Sequence, residues 1–119
     1  MKKAIFAVSM LFLLSPICFA SELMEQTLSD IDHNKHSASQ FLSIINTIKE
    51  YSPDLTNDDV GNYIGYAYQQ IHDKLPDVSL YEVAYDLKEM MIGGNGSSMK
   101  LKLNEVVAIY IQLKPKGLI

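Results

Sequence analysis

The sequence predicts an all-α protein, a compact bundle of four to five short helices that follows a cleaved signal peptide. Two observations support this fold class. Beyond the leader, apolar residues recur at spacings of three and four, which is the period of an amphipathic helix. Stretches rich in turn-forming residues divide that pattern into segments of helix length, at residues 33–36, 52–54, 75–77 and 93–98.

The first twenty residues have the parts of a secretory signal peptide. Lys2 and Lys3 form a basic start, residues 4–14 are an apolar run, and Cys18-Phe19-Ala20 supplies the small residues that signal peptidase recognises. The apolar run is shorter than the roughly 20 residues that a membrane-spanning helix needs. We therefore expect cleavage after Ala20 and a periplasmic or secreted product.

Cleavage would leave residues 21–119 as a single helical domain without cysteine. Such a domain folds without disulfides and has no thiol nucleophile. Of ten basic residues, all lysine, two leave with the leader while all fourteen acidic residues stay, so the net charge changes from −4 to 8 − 14 = −6. Nucleic acid and anionic lipid are poor partners for this charge. The acidity favours either solubility or a basic partner.

Three helices are predicted in the first half of the domain. Thr56 and Asp59 form a variant of the capping box that starts the third helix, which we expect over residues 57–74. The second helix is expected over residues 37–51. Apolar residues at helical spacing mark the first two helices, namely Leu23, Met24, Leu28 and Ile31, then Phe41, Ile44, Ile45 and Ile48.

Two glycines, Gly61 and Gly65, lie with His72 on one flank of the third predicted helix. A glycine inside a helix costs about 1 kcal/mol relative to alanine. A favourable contact must offset this cost, and we expect another helix to pack closely against Gly61 and Gly65.

The fourth helix has the clearest start. Ser79 is its N-cap and Glu82 completes a capping box, whereas Gly93 and Gly94 predict its end. The last segment, residues 103–113, fits both a helix and a strand of β-branched residues. We choose the helix, because a single strand has no clear partner elsewhere in the chain.

Histidines offer two candidate sites. His33 and His36 lie one helical turn apart and would bind zinc or copper if a third ligand such as Asp32 joined them, but we favour a solvated helix junction. His72 stands beside Asp73, and a carboxylate can orient a histidine that acts as a general base. Neighbours on a helix point about 100° apart, however, so these two side chains would not face each other. No recognisable catalytic or phosphate-binding motif is present. The sequence thus predicts a protein that is not an enzyme and has no cofactor or metal.

The chain has seven tyrosines and no tryptophan, and tyrosine is favoured at protein interfaces. Tyr81, Tyr85, Lys88 and Ile92 lie on a flank of the fourth predicted helix beyond its core face. Either two other helices enclose this helix, or the flank contacts a second molecule. The following segment is either a plain connector or a flexible finger that enters a partner's cleft, and it comprises Gly93, Gly94, Asn95, Gly96, Ser97 and Ser98.

Three features of the second half occur in the same order in one known family. They are the segment Val60-Gly61-Asn62-Tyr63-Ile64-Gly65, the proline and capped helix start Leu75-Pro76-Asp77-Val78-Ser79-Leu80, and a last helix followed by Lys114-Pro115. In these features the chain resembles the bacterial periplasmic immunity proteins that neutralise type VI secretion peptidoglycan amidase effectors.

The resemblance implies a small all-helical inhibitor, often a homodimer, that blocks a toxin's active cleft and has no chemistry of its own. The expected partner is a secreted peptidoglycan amidase. We expect the contact surface on the Tyr81 and Tyr85 flank and on residues 93–98. The alternative function is that of a non-enzymatic envelope chaperone or of an accessory protein of a secretion system.

Overall fold

The computed structural model describes residues 23–96 and 100–119. These residues contain no strand and form five helices, which confirms the predicted all-α bundle. The ambiguous last segment is helical. In chain order the helices are α1 (Met24–Ile31), α2 (Ala38–Tyr51), α3 (Asn57–His72), α4 (Leu80–Gly94) and α5 (Leu103–Leu113), followed by a 3-10 turn at Lys114–Lys116.

The predicted signal peptide, residues 1–20, lies outside the described residues, as do Ser97 and Ser98 of the predicted contact segment. Across residues 23–96 and 100–119, no helix has both the length and the apolar character needed to cross a membrane.

Reciprocal capping boxes fix where α2 and α3 begin. The Ser37 hydroxyl accepts a hydrogen bond from the Gln40 backbone N–H, and the Gln40 side chain accepts one from the Ser37 N–H. Thr56 and Asp59 make the same pair of bonds, so the shorter acid also closes the box. Each box satisfies two backbone N–H groups, one of them in the first helical turn, where helical partners are lacking. Helix α3 ends at His72, two residues earlier than expected.

One hydrophobic core joins the helices. Helix α3 packs against all four of the others, α4 packs against α2, α3 and α5, and α1 packs against α2 and α3. Full burial of one large apolar side chain contributes about 1.5–3 kcal/mol before the entropy of folding is counted. The largest fully buried side chains come from all five helices: Leu28, Phe41, Ile45, Ile48, Ile64, Ile71, Leu87, Met91, Leu103 and Tyr110.

The two glycines of α3 have different surroundings. Gly61 is buried, and a Cβ atom there would overlap the Met24 side chain of α1. At Gly65 a Cβ atom would meet nothing within 4 Å. The close approach that we expected at both positions therefore exists at Gly61 and is absent at Gly65. The missing side chain of Gly61 makes room for Met24 to pack against the backbone of α3.

We expect alanine to have opposite effects at these two glycines. Gly65→Ala should raise the free energy of unfolding by about 0.5–1 kcal/mol, because it improves helix propensity in open space. Gly61→Ala should lower it by about 1 kcal/mol or more, because Met24 must move. Urea unfolding of both variants measures the difference. In a Met24→Ala background the Gly61→Ala penalty should vanish, and a penalty that persisted would place the obstruction elsewhere.

A polar cluster ties the end of α5 to α4. Lys114 Nζ lies 3.0 Å from Glu82 Oε2 and 3.0 Å from Asp86 Oδ2, and the Tyr110 hydroxyl donates to Asp86 Oδ2 at 2.9 Å. The Ser79 hydroxyl caps α4 as expected, by accepting from the Glu82 N–H. The Glu82 carboxylate, however, does not complete the expected box, since it binds Lys114.

This cluster changes two proton affinities. Burial lowers the pKa of Lys114, but its hydrogen bonds to Asp86 and Glu82 outweigh burial, so the pKa of Lys114 is raised overall. Burial raises the pKa of Tyr110 far above its usual value, and the hydrogen bond to the Asp86 carboxylate adds to that increase. Both groups therefore hold their protons more tightly in the folded protein than in the unfolded chain.

Alkaline pH should therefore destabilise the fold through this cluster. A group with a raised folded-state pKa stabilises the protein below its unfolded pKa, which is about 10 for both residues, and loses that contribution as the pH rises further. We expect Tyr110→Phe to flatten the fall in unfolding free energy above about pH 10. Urea unfolding across pH 7–11 measures this slope. Tyr85→Phe is the matched control, and an equal flattening there would contradict the assignment.

Candidate functional site

Tyr81 and Tyr85 lie one turn apart on α4 but differ in availability. The Tyr81 ring stacks on His36, with ring centroids 3.7 Å apart and planes at 6°, and it meets Phe41 edge-on at 5.4 Å. Tyr85 is 43% exposed, with Lys88 Nζ 4.1 Å from its ring centroid. The structure thus places Tyr81 within the packing of the α1–α2 junction and leaves Tyr85 accessible to a partner.

Three side chains of the predicted flank remain on the surface of α4. Tyr85, Lys88 and Ile92 form what we call the outer α4 flank, in which Ile92 is 39% exposed. Lys88 also forms an ion pair with Glu89 at 3.2 Å. Three helices pack against α4, one more than the first of our two alternatives expected. Contact of the outer α4 flank with a second molecule stays a prediction.

The connection after α4 begins later than predicted. Gly93 and Gly94 belong to the last turn of the helix, and Asn95 is its C-cap. The Asn95 side-chain amide donates to the Met91 carbonyl oxygen at 2.8 Å and to the Leu101 carbonyl oxygen at 3.3 Å. These bonds satisfy a carbonyl at the helix end, so α4 stops at Asn95 instead of at the glycines.

Gly94 has a packing role in this connection. A Cβ atom at Gly94 would come within 2.7 Å of Leu101 Cδ1, so the glycine lets the returning chain approach the helix. Together with the Asn95 bonds, this contact holds the two ends of the connection close to one another. The described ends of the connection, at Asn95 and Leu101, are therefore fixed relative to one another. Gly96, the residue after Asn95, is exposed.

The α1–α2 junction engages the histidine that we considered as a metal ligand. His36 Nδ1 and the buried Asp32 carboxylate form a hydrogen bond at 2.9 Å. The Ser29 hydroxyl donates to the His36 carbonyl oxygen at 2.7 Å, and His33 and Asn34 have left-handed backbones with φ of 59°. Within the described ranges, no three His, Cys, Asp or Glu side chains are grouped to hold a metal ion.

His72 and Asp73 do not form a base and carboxylate pair. His72 Nδ1 is buried and makes no hydrogen bond within the described part of the chain, and the His72 ring lies 5.0 Å from that of Tyr68. Asp73 is exposed. Burial and the charge of Asp32 raise the pKa of Tyr68. The carboxylate–imidazole pair of this protein is instead Asp32 with His36, whose ring face is covered by Tyr81.

Three further tyrosines, which we did not predict as contact residues, surround a concave surface. Tyr51 and Tyr63 line a depression of about 410 Å³ between the α2–α3 connection and the start of α5. Tyr63 and Tyr66 line an adjoining depression of about 440 Å³ on α3. We call the two depressions together the tyrosine groove. The tyrosine content of the sequence indicated a binding surface, but it did not indicate which tyrosines would line it.

Comparison with known proteins gives no match to a family model, to a curated protein or to a solved structure.

The different surroundings of the α4 aromatic residues lead to a stability test. His36→Ala should lower the free energy of unfolding by about 2 kcal/mol, because it removes the ring stacked on Tyr81 and leaves the buried Asp32 carboxylate unpaired. Tyr85→Ala should change it by no more than about 0.5 kcal/mol, since the ring is largely at the surface. Urea unfolding measures both values. Equal losses in the two variants would contradict the distinction between the packed and the available tyrosine.

Proposed function

We propose that this chain is an immunity protein, exported to the periplasm, that binds and blocks a secreted peptidoglycan amidase toxin. The observation that supports this function best is the exposed surface at the end of α4. There the outer α4 flank, Tyr85, Lys88 and Ile92, leads directly into a connection whose ends Asn95 holds together. The Asn95 bonds fix the ends of the connection before a partner binds, which reduces the entropy that binding costs.

The composition of this flank suits a protein interface. Tyrosine combines apolar area with a hydrogen-bonding hydroxyl and loses little side-chain entropy on binding. Ile92 adds exposed aliphatic surface, and Lys88 stands over the Tyr85 ring, where cation and aromatic face attract each other. A partner that covered this strip would bury the apolar side chains that the bundle leaves in solvent.

The sequence features that resemble the immunity family fall at ordered positions of this fold. The segment Val60-Gly61-Asn62-Tyr63-Ile64-Gly65 lies within α3, and Ser79 caps α4 after the proline. The signal-peptide features of the first twenty residues support a periplasmic site of action. A net charge of 8 − 14 = −6 after cleavage would speed the encounter with a basic partner.

A periplasmic protection assay tests the proposal. We expect a gene adjacent to this one to encode a secreted amidase-like toxin, and the probe is that toxin, directed to the periplasm of a bacterial host with or without this protein. We expect co-expression to prevent lysis, and removal of residues 1–20 to abolish protection, because the toxin and its inhibitor would then occupy different compartments. Lysis at the same rate with the full-length protein present would refute the proposed function.

Binding of the purified proteins locates the contact. Calorimetry should show that Tyr85→Ala combined with Ile92→Asp weakens toxin binding about 100-fold, as expected when two side chains at the centre of an interface are lost. Ile109→Asp on α5 is the matched control, since Ile109 is 38% exposed and lies off the flank. Equal weakening by the control would place the contact elsewhere.

A further inference from the structure

The tyrosine groove presents three aromatic rings that do not stack on other rings of the described chain. Tyr68 and Tyr81 both contact aromatic or imidazole neighbours, whereas Tyr51, Tyr63 and Tyr66 have no such contact within the described residues. Tyr66 is 51% exposed, and Tyr63 is partly buried against the core. The packed position of Tyr63 holds its ring at the point where the two depressions join.

Polar groups with free hydrogen-bonding capacity surround these rings. Asp54 and Asn104 line the larger depression and Asn62 lines the smaller one, and their side chains make no hydrogen bond within the described residues. Carboxylates and amides offer several acceptors, and amides offer donors as well. The groove thus combines flat apolar faces with polar groups in one concavity.

The charges that line the groove balance. Asp54 and Asp59 are offset by Lys100 and Lys102. The two carboxylates would repel a polyanion, and the two lysines would repel a polycation. This balance favours a ligand without net charge.

We propose that the tyrosine groove binds a neutral oligosaccharide. The C–H faces of sugar rings would pack on Tyr51, Tyr63 and Tyr66, and the hydroxyl groups would bond to the carboxylate and amides around them. Each depression has the volume of a small-ligand site, which is roughly 300–1,000 Å³. Two such depressions joined at Tyr63 suit a chain of repeated units better than a single compact molecule.

The groove shares Asn95 with the surface proposed for the toxin, but its aromatic rings lie outside that surface. None of Tyr85, Lys88 and Ile92 lines either depression. Sugar binding would therefore hold whether or not the protein is an immunity protein, and variants of one surface need not affect the other.

The test uses the purified full chain after removal of its leader and follows the backbone amide signals by NMR. The probes are hexamers of N-acetylglucosamine and of glucose, with hexalysine and hexaglutamate as charged peptides of matched length. Saturable shifts at groove residues with either sugar and with neither peptide support the proposal. No shift with both sugars at millimolar concentration, or groove shifts caused by a peptide, would overturn it.

Variants then assign the binding to the rings. Tyr66→Ala should weaken sugar binding about five- to tenfold, the loss expected for one aromatic contact. Tyr63→Phe should keep affinity within about threefold, because the stacking face remains, and Tyr85→Ala, off the groove, should leave it unchanged. Tyr66 is chosen because its side chain is exposed, so Tyr66→Ala should fold and a loss of affinity would come from the missing ring. Thermal unfolding of the variant checks that it is folded. Unchanged affinity in Tyr66→Ala would overturn the proposed groove.

Discussion

Helices α3 and α4 hold this bundle together, because α3 contacts all four other helices and α4 contacts α2, α3 and α5. The α4 core side chains Val83, Ala84, Leu87 and Met91 are fully buried. Polar contacts near both ends of α4 then attach α5 and the connection that leads to it. Lys114 and Tyr110 bind acidic residues of α4 from the α5 side, and Asn95 closes the connection that leads to α5.

Helices α3 and α4 also make the short α1 part of the fold. An eight-residue helix is too short to be stable alone in water, so tertiary contacts must hold it. Met24 packs against the bare backbone at Gly61, and the junction after α1 returns His36 onto Tyr81. Gly61 in α3 thus holds the start of α1, and the Tyr81 ring on α4 holds the junction at its end. The described residues contain no disulfide, so these packing contacts are what attach α1.

The periodicity and the caps predicted the first four helices because these signals are local, whereas α5 fitted both a helix and a strand and was chosen as a helix because a strand had no clear partner. Thr56 with Asp59 and the Ser79 cap lie within one turn of the helix that they start. Contacts between residues distant in sequence determined the features that these local signals did not predict. Glu82 binds Lys114, thirty-two residues away, instead of completing its box, and the end of α4 is set by Asn95 and Leu101 instead of by two flexible glycines.

The candidate site was predictable only in part for the same reason. Helical spacing correctly placed Tyr85 outside the core, but it could not show that Tyr81 would pack against the core beneath His36. Tyr51 and Tyr63 are twelve positions apart, and only the folded chain brings both to one depression with the start of α5. A count of tyrosines therefore indicated an interface without indicating which rings would form it.

The structure links the two candidate surfaces through one residue. Asn95 caps the helix that carries the outer α4 flank, and it also lines the larger depression of the tyrosine groove. Its amide group bonds to carbonyl oxygens on both sides of the connection, so a change there would disturb both surfaces at once. Tyr85 and Tyr66 each belong to a single surface and are mostly outside the core. They can therefore separate a protein-binding role from a sugar-binding role, whereas Asn95 cannot.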